Sequence, residues 1–409
     1  MCKQSSPVMM SFEEAFARIT NIAPLAGIEQ LPISSACQRV LGQDVVARLN
    51  QPPYAVSSMD GYAVRASDTE GQDSTLTVVG GLAAGDAPGR LEVAKGEAAR
   101  IFTGAAVPSG ADSVVIQENV TTLDNGQIEL KGDVKSGDYV RPAAYDFSVN
   151  DTLLQEGQLL RSSDLSLAAA AGHEFLTLRR KPRVAVISTG NELVAPGTTP
   201  APGQIIASNA IGVANLLQKF GAQPIDMGIA RDDIRQLTTK FEEAIDAKAD
   251  VIVTLGGASV GDHDLVRPAL MGLGAQLDFW KVAVRPGKPL MFGQLESTQI
   301  LGLPGNPVSS LVCAHIFLKP LMRTLLSQEA SLEMKQAVLA SPLPANGQRR
   351  HFMRAKLESN NGALHMLRPL QDQDSSLLSQ LSKADALINV PPHQAQLPKG
   401  SSCEFLLLE

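Results

Sequence analysis

Four short stretches between residues 188 and 310 combine glycine with acid or small polar residues. They are STGNEL (Ser188 to Leu193), ARDD (Ala230 to Asp233), GGASVGDHD (Gly256 to Asp264) and LPGNPVSS (Leu303 to Ser310). One such stretch is weak, because turns use glycine anyway; four in one region is a stronger signal. The carboxylates of Glu192, Asp232 and Asp264 offer hard oxygen donors, suited to a divalent cation that keeps several waters. A loop aspartate such as Asp262 also serves as a turn cap, and His263 alone reads more readily as a solvated imidazole than as a ligand. In LPGNPVSS, Asn306 can cap a following helix, with Pro307 in its first turn. The N–H groups of Val308, Ser309 and Ser310 would then face an anion at the positive end of the helix dipole. A plain capped helix explains the same residues.

A cationic stretch follows the third loop. WKVAVRPGKP carries Lys281, Arg285 and Lys288. Lys281, Ala283 and Arg285 alternate, which would put the two cations on one strand face. Cations beside acidic loops are the pairing expected for a phosphorylated substrate with a metal; a solvated sheet edge is the other reading. No residue stands out as a covalent nucleophile.

These loops need strands and helices to hold them. Residues from about 181 to 326 alternate buried-type strands (RVAVIST, QPIDMGIA, DVIVTLGG) with helices (NAIGVANLLQKFG, IRQLTTKFEEAIDAKA, DLVRPALMGLG). This rhythm predicts a parallel sheet covered on both faces, with ligands beyond the carboxyl ends of its strands. DFWKVAVRPGKPLMFGQL reads as a hairpin. The chain opens on a helix: Ser11 and Glu14 form a capping box, Phe12, Ala15, Phe16 and Ile19 share one face, and Pro24 ends it. Residues 51–141 change texture to short strands between Gly, Pro, Asp and Asn, an inserted β domain. LLRSSDLSLAAAAGHEFL is helical again, with Ser163 as its expected N-cap and Gly172 at its end. The last ~75 residues return to short strands and turns. The expected fold is therefore multidomain α/β plus β: a central three-layer α/β domain with a mostly parallel sheet, an inserted small β domain and a C-terminal β domain. The expected divisions are 7–50 with 142–178 as a linking and dimerisation domain, 51–141, 179–327 and 332–409.

With 409 residues, 44% hydrophobic and 19% charged, the chain has ample material for several cores. A net charge of −7 argues against a general nucleic-acid binder. Four scattered cysteines without C-x-x-C suggest neither a zinc knuckle nor a redox pair. No apolar run approaches the ~20 residues that span a bilayer, and the N-terminus lacks a signal-peptide apolar core. A cytoplasmic protein is expected.

SSMDGYAV (Ser57 to Val64), GDHD after GGASV, FWKVAVRPGKP and LGLPGNPVSS, in that order, resemble the MoeA family of molybdopterin molybdenumtransferases, to which the C-terminal domain of gephyrin belongs. The resemblance covers nearly the whole chain. It implies an elongated four-domain homodimer that takes adenylylated molybdopterin and molybdate, releases AMP with Mg²⁺ and leaves molybdenum on the dithiolene. It implies catalytic roles for Asp60, Thr103, Glu192, Asp232, Asp264, Lys281, Arg285 and Lys288, with Asp60 reaching into the partner subunit's cleft. Glu192, Asp232 and Asp264 are the implied metal ligands. Ser188, Gly190, Gly256, Gly257, Ser259, Gly261, Pro304, Gly305, Asn306, Ser309, Arg354 and Ser375 are the implied substrate-binding positions. Transient contact with the pterin adenylyltransferase and with molybdoenzymes is the further expectation; nucleic acid and membrane are not. The chain departs from the family pattern at Ala55, Val56, Ala144, Tyr145, Asn191, Asp262, His263 and Arg285. A pterin adenylyltransferase or nucleotide pyrophosphatase, and a non-catalytic dimeric scaffold, are the competing readings. The direction in which AMP moves separates the first; metal-dependent AMP release separates the second.

Overall fold

A computed structural model of the chain describes residues 9–25, 27–69, 74–257, 265–358 and 365–408. The backbone divides into two compact units, residues 1–27 with 179–409, and residues 28–178.

In the first unit, Arg183–Thr189 lies between Gln223–Ala230 and Val251–Leu255, and Thr298–Leu303 follows, all parallel. Met291–Leu295 and Gln276–Phe279 extend the sheet antiparallel. Alternate side chains of the central strand go to opposite faces. Val184 and Val186 join a core with Val213, Leu216 and Leu217 of the helix Asn209–Lys219. Ala185 and Ile187 join another with Leu237, Phe241 and Ala244 of the helix Ile234–Asp246. Burial on both faces is why these strands read as unbroken apolar runs.

The last parallel strand feeds the helical stretch Pro307–Leu325, which continues through a π-helical turn at Ala314–Leu318. The sequence suggested no run of bilayer length. This 19-residue stretch does have the length and composition, but 83% of its apolar window is buried inside the unit.

The N-terminal helix Phe12–Thr20 forms with its capping box: Glu14 N–H donates to Ser11 Oγ at 3.2 Å and Ser11 N–H to Glu14 Oε2 at 3.1 Å. It ends at Asn21, before Pro24. Its buried face packs into the α/β core, with the Phe12 ring 5.3 Å from both Phe317 and Phe352. This helix lies in the first unit, and residues from 28 onward in the second.

The C-terminal strands Met334–Leu339, Arg350–Glu358, His365–Pro369, Ala386–Val390 and Ser402–Leu407 form a closed ring, completed by pairing of Arg350–Glu358 with Ala386–Val390. Val284–Arg285 adds to it, parallel to Arg350–His351. The expected hairpin is therefore only partly a hairpin: its outer arms pair, and its middle joins another sheet.

In the second unit, Ala36, Leu41 and Val45 pack with Leu154, Leu160, Ala168, Leu176 and Leu178. The helix Ser162–Ala170 is capped at Arg161, not Ser163, because the Asp164 carboxylate accepts the Arg161 N–H at 2.8 Å. Between these segments stands a six-stranded mixed sheet in the order Ser113–Ile116, Gly61–Val64, Glu97–Ile101, Thr75–Leu82, Gln127–Leu130, Val120–Thr122.

Candidate active site

The carboxyl ends of the four parallel strands lead into Gly190–Glu192, Arg231–Asp232, Gly256–Gly257 and Pro304–Asn306. All four segments contribute to the wall of one cavity of about 700 Å³. Ten sequence-predicted residues meet there: Ser188, Gly190, Glu192, Asp232, Gly256, Gly257, Pro304, Gly305, Asn306 and Ser309. The sequence reading missed one wall, Ile205 to Asn209, which the short parallel pair of Leu193–Val194 with Ile205–Ile206 holds beside the STGNEL loop. The polar Ser208-Asn209 pair at the start of a helix was its available signal.

Local geometry explains why particular residues stand here. Gly190 has φ +150°, and a Cβ there would lie 2.5 and 2.7 Å from the Glu192 carboxylate oxygens. Glycine is thus what lets Glu192 fold back over its own turn. Asn191 and Asp232 bind each other reciprocally: Asp232 N–H donates to Asn191 Oδ1 at 3.2 Å and Asn191 N–H to Asp232 Oδ2 at 3.4 Å. Asn209 Nδ2 donates to Gly305 O at 2.7 Å, tying the missed wall to the Pro-Gly-Asn-Pro turn.

The helix start is more occupied than expected. Asn306 is the N-cap residue and Pro307 follows it, but the Asn306 side chain makes no capping bond; it donates to Ser375 Oγ at 3.0 Å. Val308 N–H donates to Ser375 O and Ser310 N–H to Asn306 O. Two of the three N–H groups expected to face an anion are therefore already used.

The cations fall outside the cavity wall. Lys281 precedes the short strand Val284–Arg285, so alternation along one strand does not place it with Arg285. The backbone bends at Ala283, where Val284 N–H donates to the Val282 carbonyl, and Met10 bridges Val282, its N–H donating to the Lys281 carbonyl and its carbonyl accepting the Ala283 N–H. Arg285 and Lys288 are exposed, and Pro289, next to Lys288, lines the cavity. Arg354 is 1% exposed, and its guanidinium is spent on backbone carbonyls of residues 372–377. Ser375 binds the helix start as above, and its neighbour Ser376 reaches the cavity. Ser259, Gly261, Asp262, His263 and Asp264 lie outside the described residues.

Asp60 and Thr103 meet in the second unit. Thr103 N–H and Oγ1 each donate to Asp60 Oδ1 at 2.8 Å, and these bonds, the backbone one first, hold the exposed Asp60 carboxyl below its ordinary range. Gly61 begins a strand, and any Cβ there would overlap the Val115 carbonyl of the neighbouring strand. Arg100, which the sequence reading did not single out, sits 5.1 Å from the Tyr62 ring centre and 4.8 Å from that of Phe102, and donates to Gly61 O. Its bond to the Gly61 carbonyl anchors the residue that follows Asp60.

Three family models match the chain in order. The MoeA N-terminal region (domains I and II) covers residues 10–172, a probable molybdopterin binding domain 185–324, and the MoeA C-terminal region (domain IV) 336–408. The molybdopterin molybdenumtransferase of Haemophilus influenzae is 36% identical over 342 residues, covering 81% of this chain and 84% of that one. The chain belongs to the MoeA family. Molybdopterin molybdenumtransferase 2 of Mycobacterium tuberculosis is 35% identical over 386 residues, 91% of this chain and 93% of that protein. The crystal structure of a molybdopterin biosynthesis MoeA protein from Pyrococcus horikosii superposes with a TM-score of 0.84 at 31% identity, covering 98% and 99% of the two chains. Membership of the MoeA family gives the chain its role in molybdenum cofactor biosynthesis.

Proposed function

We propose that the chain is the transferase that places molybdenum from molybdate on adenylylated molybdopterin, with Mg²⁺-dependent release of AMP. The observation that carries this is the cavity at the carboxyl ends of the parallel strands, where Glu192 and Asp232 share a wall with the Pro304–Asn306 turn. Its size suits a nucleotide-sized ligand, since such sites usually run to several hundred Å³.

Two carboxylates fit a Mg²⁺ that keeps waters and takes its other oxygens from substrate phosphates. Among the described residues no group of three or more His, Cys, Asp or Glu is poised to hold a metal ion. Glu192 and Asp232 would hold the Mg²⁺, with Asp264 as a third oxygen donor. Mg²⁺ on the phosphate oxygens would supply polarisation of the phosphoryl centre. The protein's own part is positioning. Ser188 and Ser309 present hydroxyl groups, and the Gly256–Gly257 turn lets the ligand approach backbone. Lys281, Arg285 and Lys288 would offset the charge of phosphate and molybdate from the rim. In this reading the chain works as a cytoplasmic homodimer, and the Asp60–Thr103 pair of one copy completes the cavity of the other.

The test is incubation of the chain with adenylylated molybdopterin, Mg²⁺ and molybdate. AMP should appear in proportion to molybdenum bound by the pterin, and chelation should stop it. Transfer of AMP from ATP onto the phosphate of free molybdopterin, with release of pyrophosphate and no AMP release from the adenylylated pterin, would make the chain an adenylyltransferase instead. Tightly bound zinc surviving EDTA would overturn the metal assignment.

A further inference from the structure

We infer that Arg354 is a positioning residue that shapes the cavity from behind, through the loop at residues 372–377, and does not touch the ligand. The inference rests on the reading of the cavity as the substrate site.

Arg354 is 1% exposed on a strand of the C-terminal ring. Its guanidinium donates to three carbonyls of one loop: Asp374 at 2.9 Å, Asp372 at 3.2 Å and Leu377 at 3.3 Å. Gln373 completes the grip. Its Oε1 accepts the Arg354 N–H at 3.0 Å, and its Nε2 donates to the carbonyls of Arg354 at 2.9 Å and Leu370 at 2.8 Å. A buried cation costs several kcal/mol unless its donors are satisfied. This one is satisfied mainly by main-chain oxygens, so the loop can hold only conformations that aim those carbonyls inward. Lysine has the charge but lacks the planar fork that reaches three acceptors at once.

The loop passes this constraint to the cavity by two routes. Ser375 accepts the Val308 N–H with its carbonyl (3.2 Å) and the Asn306 Nδ2–H with its hydroxyl (3.0 Å), fixing the start of the helix. The Asp374 carboxylate accepts from Ser376 Oγ at 2.6 Å and Ser376 N–H at 2.9 Å, and Ser376 is a wall residue. A buried side chain with no place in the wall thus holds two wall segments.

The experiment uses the full chain, with AMP and Mg²⁺ as the equilibrium probe, well below the unfolding temperature. Arg354→Lys should weaken AMP binding about 10-fold, the effect of about 1.4 kcal/mol of misplacement. Ser375→Ala should weaken it about 3-fold, the worth of one hydrogen bond. The double variant should be no weaker than Arg354→Lys alone, because both act through one loop. Hydrogen exchange at the Val308 amide should quicken at least about 10-fold in Arg354→Lys, while amides of Val251–Leu255 stay protected. Gln373→Leu, which loosens the same loop while leaving the guanidinium its bonds to the carbonyls of Asp372, Asp374 and Leu377, should reproduce the pattern if Arg354→Lys does not fold. A double variant about 30-fold weaker, the product of independent effects, or a Val308 amide that keeps its protection, would overturn the inference. Wild-type protein that binds no AMP would overturn the transferase reading instead, and the Val308 exchange would still decide the role of the loop.

Discussion

Gly190→Ala tests whether the turn before Glu192 is built to aim a carboxylate. The added methyl would lie 2.5 and 2.7 Å from the Glu192 oxygens, where ordinary contact begins at 3.4 Å, so the carboxylate must retreat by about 0.9 Å. The φ of +150° adds backbone strain of about 1–3 kcal/mol for any residue with a Cβ. The strain lowers stability; the displacement lowers activity. Moving a positioned group by ~1 Å can cost 10²-fold, so kcat/KM for AMP release should fall about that far. Glu192→Gln should lose a similar factor, since it removes the charge that the displacement misplaces. The double variant should be no worse than Glu192→Gln alone, because a neutral amide has little left to misplace. Kinetics at saturating Mg²⁺, beside thermal unfolding of each variant, make the measurement. If Gly190→Ala is destabilised but keeps its kcat/KM, or if the two losses multiply, Glu192 is not the group the turn serves.

In the proposed homodimer, Asp60→Ala and Glu192→Ala should each be nearly inactive, yet a mixture allowed to exchange subunits should regain roughly a quarter of wild-type activity, because about half the dimers would be mixed and each would have one intact cleft; no recovery after confirmed exchange would place Asp60 outside the partner's site. The Asp60–Thr103 bonds should outlast mild acid. The depressed Asp60 carboxyl stays charged until pH falls below the usual carboxylate range, and the Thr103 amide shift followed by NMR should stay flat above about pH 4. His351 works in the opposite sense to a salt-bridged histidine: burial, then the charges of Arg285, Arg354 and Arg349, push its pKa down to about 3. Between that value and the unfolded ~6.5 the unfolded chain binds the extra proton, so stability should fall as pH drops through this window, by up to ~1.4 kcal/mol per unit, and denaturant titrations of His351→Gln should show a shallower slope. Phe12→Ala, which opens a hole beside Phe317 and Phe352, should cost about 3–5 kcal/mol in urea unfolding; a change under 1 kcal/mol would show that the N-terminal helix is an ornament of the core.

Much of the fold is legible because its signals are local. The strands 183–189 and 251–255 are covered on both faces and so appear as apolar runs; the helix 234–246 carries its buried face at helical spacing; the Ser11–Glu14 box lies within four residues. What is not legible is long-range. Nothing near Met10 announces that it will bridge Val282, and nothing near Val284 announces a strand pairing with Arg350 and His351. Local alternation at Lys281, Ala283 and Arg285 looked like one strand face because period-2 spacing says nothing about where pairing stops. The cap at Arg161 was missed for a similar reason: side-chain preference favoured a serine, while the Asp164 carboxylate three residues on decided the register.

The site divides along the same line. Acidic and glycine residues of the strand-end loops could be placed together from sequence, since in a parallel sheet every carboxyl end opens on one side. Once four strands are recognised, Glu192, Asp232, Gly256 and Pro304 have nowhere else to go. Basic residues carry no such constraint. Arg354 in a strand could as well face a ligand as a wall of carbonyls, and only the folding of residues 372–377 over it decides. The same folding gives Ser375 its work. By sequence it is one more small polar residue; in the fold it takes the Val308 N–H that would otherwise face an anion. The helix start therefore meets its ligand with fewer free donors than a capped helix suggests. In the proposed reading the burden of binding phosphate would shift to Lys281, Arg285 and Lys288 and to a metal held by Glu192 and Asp232. If that is right, replacing Ser375 should alter the ligand's position more than its charge compensation, and the salt dependence of AMP binding should be unchanged in Ser375→Ala but reduced in Lys288→Ala.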